Sequence, residues 1–211
     1  MRITLFGATG KTGPYLISEG LKRGFEITVF ARSGSVFNDP RVLVVRGDFT
    51  DGDQLRYAVK GSDAVLSALG PTKFPHPNDL PITAATESVI SAMKQEGVRR
   101  LIAVSTGTAP DPGDRFDFKI WLPAVLIKLA ASAVYNDILA LASAIRGSSL
   151  DWTMVRSAVL KDRPASVPIN VGLYGRTKHS MTVSREDLAR FMFDQAQSPN
   201  YVAAAPGISS A

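Results

Sequence analysis

Cysteine is absent from all 211 residues, which excludes disulfides and thiolate metal centres. The two histidines, His76 and His179, stand far apart in the chain, so no histidine-based metal site is expected, and each reads as structural or exposed rather than catalytic. No Pro/Ser-rich linker, low-complexity block, charge run or internal repeat marks a boundary. The net charge of +5 comes from scattered lysines and arginines. Without a basic patch interleaved with aromatics, no nucleic-acid partner is expected, and the charge describes a solvated surface that also suits a polyanionic ligand. No leader-like segment precedes the first apolar run, so a cytoplasmic location is expected. With 45% hydrophobic residues the chain can bury one substantial core, and a single domain over residues 1–211 is expected.

What is present begins at once. The apolar run Ile3-Thr4-Leu5-Phe6 leads into Gly7-Ala8-Thr9-Gly10-Lys11-Thr12-Gly13. A short β-branched and aromatic run suits a buried parallel strand, and glycines behind it let the chain turn sharply into a helix whose free amides and positive end favour a phosphate. The GxxGxxG spacing is one residue looser than the GxGxxG dinucleotide fingerprint. Its alternative is a glycine-rich turn without a ligand. A nucleoside-triphosphate P-loop is excluded, because Leu5 stands where that pattern requires glycine before Gly10-Lys11-Thr12.

Further strands are expected at Glu26–Ala31, Val42–Arg46, Asp63–Leu69, Arg100–Ser105 and Asp151–Arg156, beside the first at Arg2–Phe6. Helices are expected between them, with Tyr15, Leu16 and Leu21 the apolar positions of the first. Asp51–Lys60 reads as a short helix, and Ile82, Ala85, Val89 and Met93 recur at helical spacing before Gly97. Alternation of this kind implies an α/β fold with a doubly wound, mostly parallel Rossmann-type sheet and helices on both faces. Ligands of such sheets sit beyond the carboxyl ends of the strands. Ile120–Ile145 is apolar enough to raise a membrane span, but Pro123, Lys128, Asp137 and its place as a crossover favour a long buried helix, with a contact surface for a protein partner or self-association.

At the tip of the second strand stand Ala31-Arg32-Ser33. An acidic residue there would serve the ribose 2′-hydroxyl of NAD, whereas Arg32 can pair with a 2′-phosphate and Ser33 can add a donor, so NADP(H) is expected over NAD(H). Behind the third strand, Asp48 can accept from an adenine amino group or cap the next helix, and Phe49 can wall the base.

Together with Gly47-Asp48, Ala68-Leu69-Gly70, Val104-Ser105-Thr106, Leu150–Arg156 and Val183-Ser184-Arg185-Glu186-Asp187-Leu188-Ala189, the glycine motif makes the chain resemble the NmrA-like atypical short-chain dehydrogenase/reductases, and within them the small flavin and biliverdin-IXβ reductases. The resemblance covers nearly the whole chain. It implies cofactor contacts at Gly7, Thr9, Gly10, Lys11, Thr12, Gly13, Arg32, Ser33, Asp48, Phe49, Ala68, Leu69, Gly70, Ser105 and Arg156, and a substrate region built from residues 107–135 and 157–185.

Short-chain dehydrogenases commonly carry a Tyr-x-x-x-Lys pair, yet four positions after Tyr135 stands Leu139. Tyr135 is therefore a core or cleft-lining residue first and a catalytic candidate second. Ser105 and Thr106 are the other catalytic candidates, with strand-end hydrogen bonding as their plain alternative. After Arg156 comes Ser157, where the resemblance usually has proline. The loop Pro71–Pro81, with Lys73 and Phe74, can cover a nicotinamide ribose or serve as a rigid connector. The expected function is an NAD(P)H-dependent reductase passing hydride to a conjugated small-molecule acceptor such as a flavin, quinone or tetrapyrrole. A non-catalytic NADP-binding redox regulator is the rival, and an epimerase using the cofactor transiently is the third reading.

Overall fold

The computed structural model describes residues 1–211 apart from Lys73, Ala158 and Val167. Its central sheet is parallel through β1 (Arg2–Phe6), β2 (Glu26–Arg32), β3 (Leu43–Gly47), β4 (Ala64–Ser67), β5 (Arg100–Thr106) and β6 (Asp151–Ser157), in the spatial order β3-β2-β1-β4-β5-β6. These strands lie within two residues of their expected bounds. The order reverses between β1 and β4, so the crevice beyond their carboxyl ends is the topological switch point of a Rossmann-type sheet.

Two strands that the sequence pattern does not announce extend the sheet. β10 (Gly207–Ser210) runs parallel to β6, and β8 (Ile169–Gly172) runs antiparallel to β10. A separate parallel pair joins β7 (Val159–Lys161) to β9 (Thr182–Ser184).

Strand alternation divides the core into two layers. Ile3 and Leu5 of β1 face α1 (Gly13–Lys22) and α6 (Arg185–Ala196), packing with Leu16, Leu188 and Phe193. Phe6 faces the other way, onto a core shared by α2 (Gly52–Val59), α3 (Pro81–Gln95) and α5 (Ser132–Arg146), with Leu55, Met93 and Leu141. Thr4 lies on that side too, and its buried hydroxyl donates to the Ala58 carbonyl at 2.7 Å. The helical spacing read in α3 is correct, since Ile82, Ala85, Val89 and Met93 are all buried.

Residues 120–145 do not form one long buried helix. The backbone opens at Ala131 (φ −147°, ψ 56°) and divides the run into α4 (Phe118–Ala130) and α5. Only α5 has an inward stripe, formed by Asp137, Ile138, Leu141, Ala142 and Ile145. Not one residue of α4 is buried, although the helix is apolar almost throughout. No helix among the described residues is long and apolar enough to cross a membrane.

Candidate functional site

The glycine loop turns directly beneath the end of β4. Gly7 adopts φ +78°, and a side chain on it would come within 2.6 Å of the Ala68 carbonyl group. Gly13 is still more constrained, because a Cβ there would lie 1.6 Å from the Ala8 oxygen. The loop is closed by bonds from the Gly10 amide to the Gly7 carbonyl and from the Gly13 amide to the Gly10 carbonyl. Thr12 heads α1 without capping it through its side chain, and Pro14 fills the first turn at no cost in hydrogen bonds. The result is an exposed helix N-terminus lined by backbone, with Thr9, Gly10 and Lys11 at the surface. Such a surface fits a pyrophosphate.

Arg32 closes β2 opposite Gly47 of β3, which brings Arg32, Ser33 and Asp48 to one edge of the sheet. Arg32 is exposed, while the Ser33 hydroxyl donates to Asp48 at 3.3 Å. The cap of α2 is Asp51, whose carboxylate accepts from the Gln54 amide at 3.1 Å, and not Asp48. Phe49 is half-buried against Phe30 and Phe6, at ring separations of 5.4 and 6.2 Å.

Between these strand ends and the helices lies a cavity of about 430 Å³. Its polar side comprises Thr12, Gly70, Ser105, Thr106, Ser157 and Arg185, with Ala68 and Leu69 as floor. The facing wall is apolar and comes from Ile82 of α3, Ile127 of α4, and Val134, Ile138 and Leu141 of α5. Ser105 is buried, and its hydroxyl has no partner among the described residues. Thr106 is already engaged, 2.5 Å from the Thr108 hydroxyl. From the expected substrate region, Ile127, Val134, Ser157, Leu160 and Arg185 reach the cavity.

Tyr135 does not line the cavity. Its ring lies under the Lys128 ammonium, 6.0 Å from the ring centroid, across the backbone break at Ala131. Arg156 likewise does not face the cofactor crevice. It is wholly buried, donates through Nε to the Ala205 carbonyl at 2.7 Å and through Nη2 to Asp114 at 2.8 Å, and stacks on Tyr174. Burial opposes the charge of Asp114, but hydrogen bonds from Arg156 and from backbone amides hold its carboxyl below the usual range. Burial pushes the Tyr174 phenol up to about 12. This group ties the 107–117 loop to β6, and its alternation phase on β6 explains why Ser157, not Arg156, meets the cavity.

Both histidines are buried. His179 lies edge-on to Tyr174 and within 3.3 Å of Ser209 Oγ, and burial pushes its imidazole below its ordinary value. His76 belongs to the Pro71–Pro81 segment, where Phe74 is exposed and Lys73 lies outside the described residues. Asp137, wholly buried on α5, accepts from the amides of Ile82 and Thr83 at 3.0 and 2.9 Å and from the Thr83 hydroxyl at 2.7 Å. A helix thus receives its N-terminal cap from another helix, a pairing that no local motif announces. The other residue missed by sequence reasoning is Arg185, which was legible only as part of the segment opening α6.

Fold and crevice define an α/β protein with a Rossmann-type sheet and a ligand crevice at its switch point. The chain belongs to the NAD(P)H-binding family, whose pattern matches residues 7–199. It is 32% identical over 111 residues to sterol-4-alpha-carboxylate 3-dehydrogenase, decarboxylating, of Bos taurus, a match spanning 51% of this chain but only 31% of that enzyme. A short-chain dehydrogenase/reductase from Veillonella parvula solved in complex with NADP superposes with a TM-score of 0.78 at 21% identity, covering 99% of this chain and 94% of that one. ChuY, an anaerobillin reductase from Escherichia coli O157:H7, superposes with a TM-score of 0.76 at 19% identity, covering 100% and 97%.

Proposed function

We propose that the protein is an NADPH-dependent reductase that passes hydride to a planar, conjugated acceptor such as a flavin, quinone or tetrapyrrole. The observation that carries this reading is the cavity itself: an apolar wall faces strand-end hydroxyls, and among the described residues neither Tyr135 nor a lysine lines it. The bound nicotinamide supplies the hydride. The chain's part is to orient the two rings and exclude water, which the glycine cradle and the wall from α3, α4 and α5 are built to do. An acceptor that stabilises added charge by conjugation can take its proton from solvent, so the missing Tyr-x-x-x-Lys pair is no obstacle. Ser105, the one buried hydroxyl in the cavity wall without a partner among the described residues, is assigned to the nicotinamide or to the acceptor. The anaerobillin reductase of the same fold supports the tetrapyrrole class.

Preference for NADP(H) over NAD(H) rests on Arg32, exposed at the tip of β2, with the neighbouring carboxylate of Asp48 held by Ser33. The acceptor side is assigned to residues 107–135 and 157–185. NADPH consumption against a panel of flavins, quinones, linear tetrapyrroles and simple carbonyls tests the reading. Turnover is expected with conjugated acceptors and not with simple ketones. A second reading, an NADP-binding regulator that touches a partner protein, draws on the exposed apolar surface of α4, where Trp121, Leu126 and Leu129 face solvent. Tight NADPH binding without turnover on any acceptor would favour it.

A further inference from the structure

Arg185 opens α6 and lines the polar side of the cavity. Its side chain is 12% exposed, and its Nη1 donates at 2.7 Å to Asp162, which is itself 64% exposed. Its Nε is buried and has no acceptor among the described residues. A guanidinium presents Nε and Nη2 along one edge as a two-donor fork. The bond to Asp162 occupies the opposite nitrogen and fixes the plane, leaving Nε without an acceptor among the described residues. Tyr15 donates to the same Asp162 oxygen at 3.3 Å, so the carboxylate holding the arginine is itself held.

A buried donor without a partner is costly to folding, and a charged arginine edge is more demanding than a neutral amide. The other acidic groups nearby do not relieve it. Glu186 is taken by Arg190 and the Ala165 amide, and Asp187 by Ser184 and Ser166. Asp162, the one carboxylate in contact, lies largely in water, where its charge is screened. The buried Nε therefore retains a demand for an acceptor, in a residue that lines the cavity.

We propose that Arg185 is an anion anchor of the acceptor site: its Nε–Nη2 edge receives a carboxylate or phosphate substituent carried by the acceptor and so sets the ring system against the apolar wall. The proposal rests on the reductase reading above and narrows it to acceptors with an acidic arm. Neutral quinones and unsubstituted ring systems become poor ligands, and conjugated rings bearing a propionate or phosphate become good ones.

FMN and riboflavin share one ring system and differ in a phosphate, which makes them a direct probe pair. Each is titrated by flavin fluorescence into protein saturated with NADP+. FMN is expected to bind roughly tenfold more tightly than riboflavin. In Arg185→Gln the two affinities should converge, riboflavin binding should hold, and Arg185→Lys should restore part of the difference. The NADPH affinity of the variants, measured separately, should stay within about twofold. Equal affinities for FMN and riboflavin in the unaltered protein overturn the anchor while leaving the reductase reading intact. A large loss of NADPH affinity in Arg185→Gln overturns it differently, by assigning the guanidinium to a cofactor phosphate. Binding of neither flavin, with linear tetrapyrroles also rejected, removes the acceptor reading and the anchor with it.

Discussion

His76 Nε2 lies 2.8 Å from Asp137 Oδ2, and through that contact the loop after β4 is fastened to α5 in the interior of the protein. Asp137 simultaneously caps α3, so one carboxylate holds the loop, the helix below it and the helix behind it. Burial opposes its ionisation, but hydrogen bonds from the Thr83 hydroxyl, the Ile82 amide, His76 and the Thr83 amide outweigh that and keep its carboxyl below the usual carboxylate range.

Replacing Asp137 with alanine leaves those donors unsatisfied in a sealed interior. The expected cost is about 3 kcal/mol, or roughly 6–12 °C in Tm for a chain of this size, measured by thermal and urea unfolding. Because the folded-state value is depressed, the stabilisation is complete above the unfolded value near ~4 and is lost as pH falls through the folded one. Wild-type stability should therefore decline below about pH 4, and that part of the decline should vanish in Asp137→Asn.

The glycine loop makes a graded prediction. Gly13→Ala drives a methyl into the Ala8 backbone oxygen at 1.6 Å, whereas Gly10→Ala meets its nearest atom at 3.3 Å. Fluorescence titration should show NADPH affinity falling more than about tenfold for Gly13→Ala, with a loss of about 1–3 kcal/mol in stability. Gly10→Ala should fold normally and bind more weakly by a smaller factor.

For Ser105, stability and function should separate. Its hydroxyl is buried without a partner among the described residues, so Ser105→Ala removes an unsatisfied group, and the protein without cofactor should be unchanged or more stable, by up to about 1 kcal/mol. If the hydroxyl serves the nicotinamide or the acceptor, kcat/KM should drop by up to about tenfold in the same variant. Lowered stability with unaltered kinetics would return Ser105 to a purely structural role.

Arg32→Ala should weaken NADPH by about 10- to 100-fold while NADH changes little, since a charge-assisted pair to a 2′-phosphate is the contact removed. Isothermal titration with both cofactors decides it, and equal losses would dissociate Arg32 from the phosphate.

The features legible in the sequence are those written in local pattern. The bounds of β1 are readable to the residue because an apolar run ends on glycine, and the buried face of α3 is readable because its apolar positions recur at helical spacing. The features that escaped are set by tertiary partners. β10 consists of Gly-Ile-Ser-Ser, which has no strand periodicity and is ordered by the edges of β6 and β8. Arg156 stands at the strand end that the sequence pattern assigns, yet its guanidinium turns to Asp114 and two carbonyls, partners that cannot be seen from neighbouring residues. Asp137 read as a charge interrupting an apolar run, and its capping of a helix more than fifty positions away became visible only in three dimensions.

A helix held by a polar stripe on one side and an apolar stripe on the other has a single favoured rotation about its axis. α4 has neither stripe in its sequence, and the face it seats, Ile120, Ala124 and Ile127, is half-buried through apolar contacts, with Ile120 beside Gly107. Ile127 is the residue of this face that reaches the cavity. On the proposed reading, an acceptor would meet hydroxyls and a guanidinium along the strand ends but apolar shape alone at Ile127 overhead, so α4 would select for outline and not for polar groups.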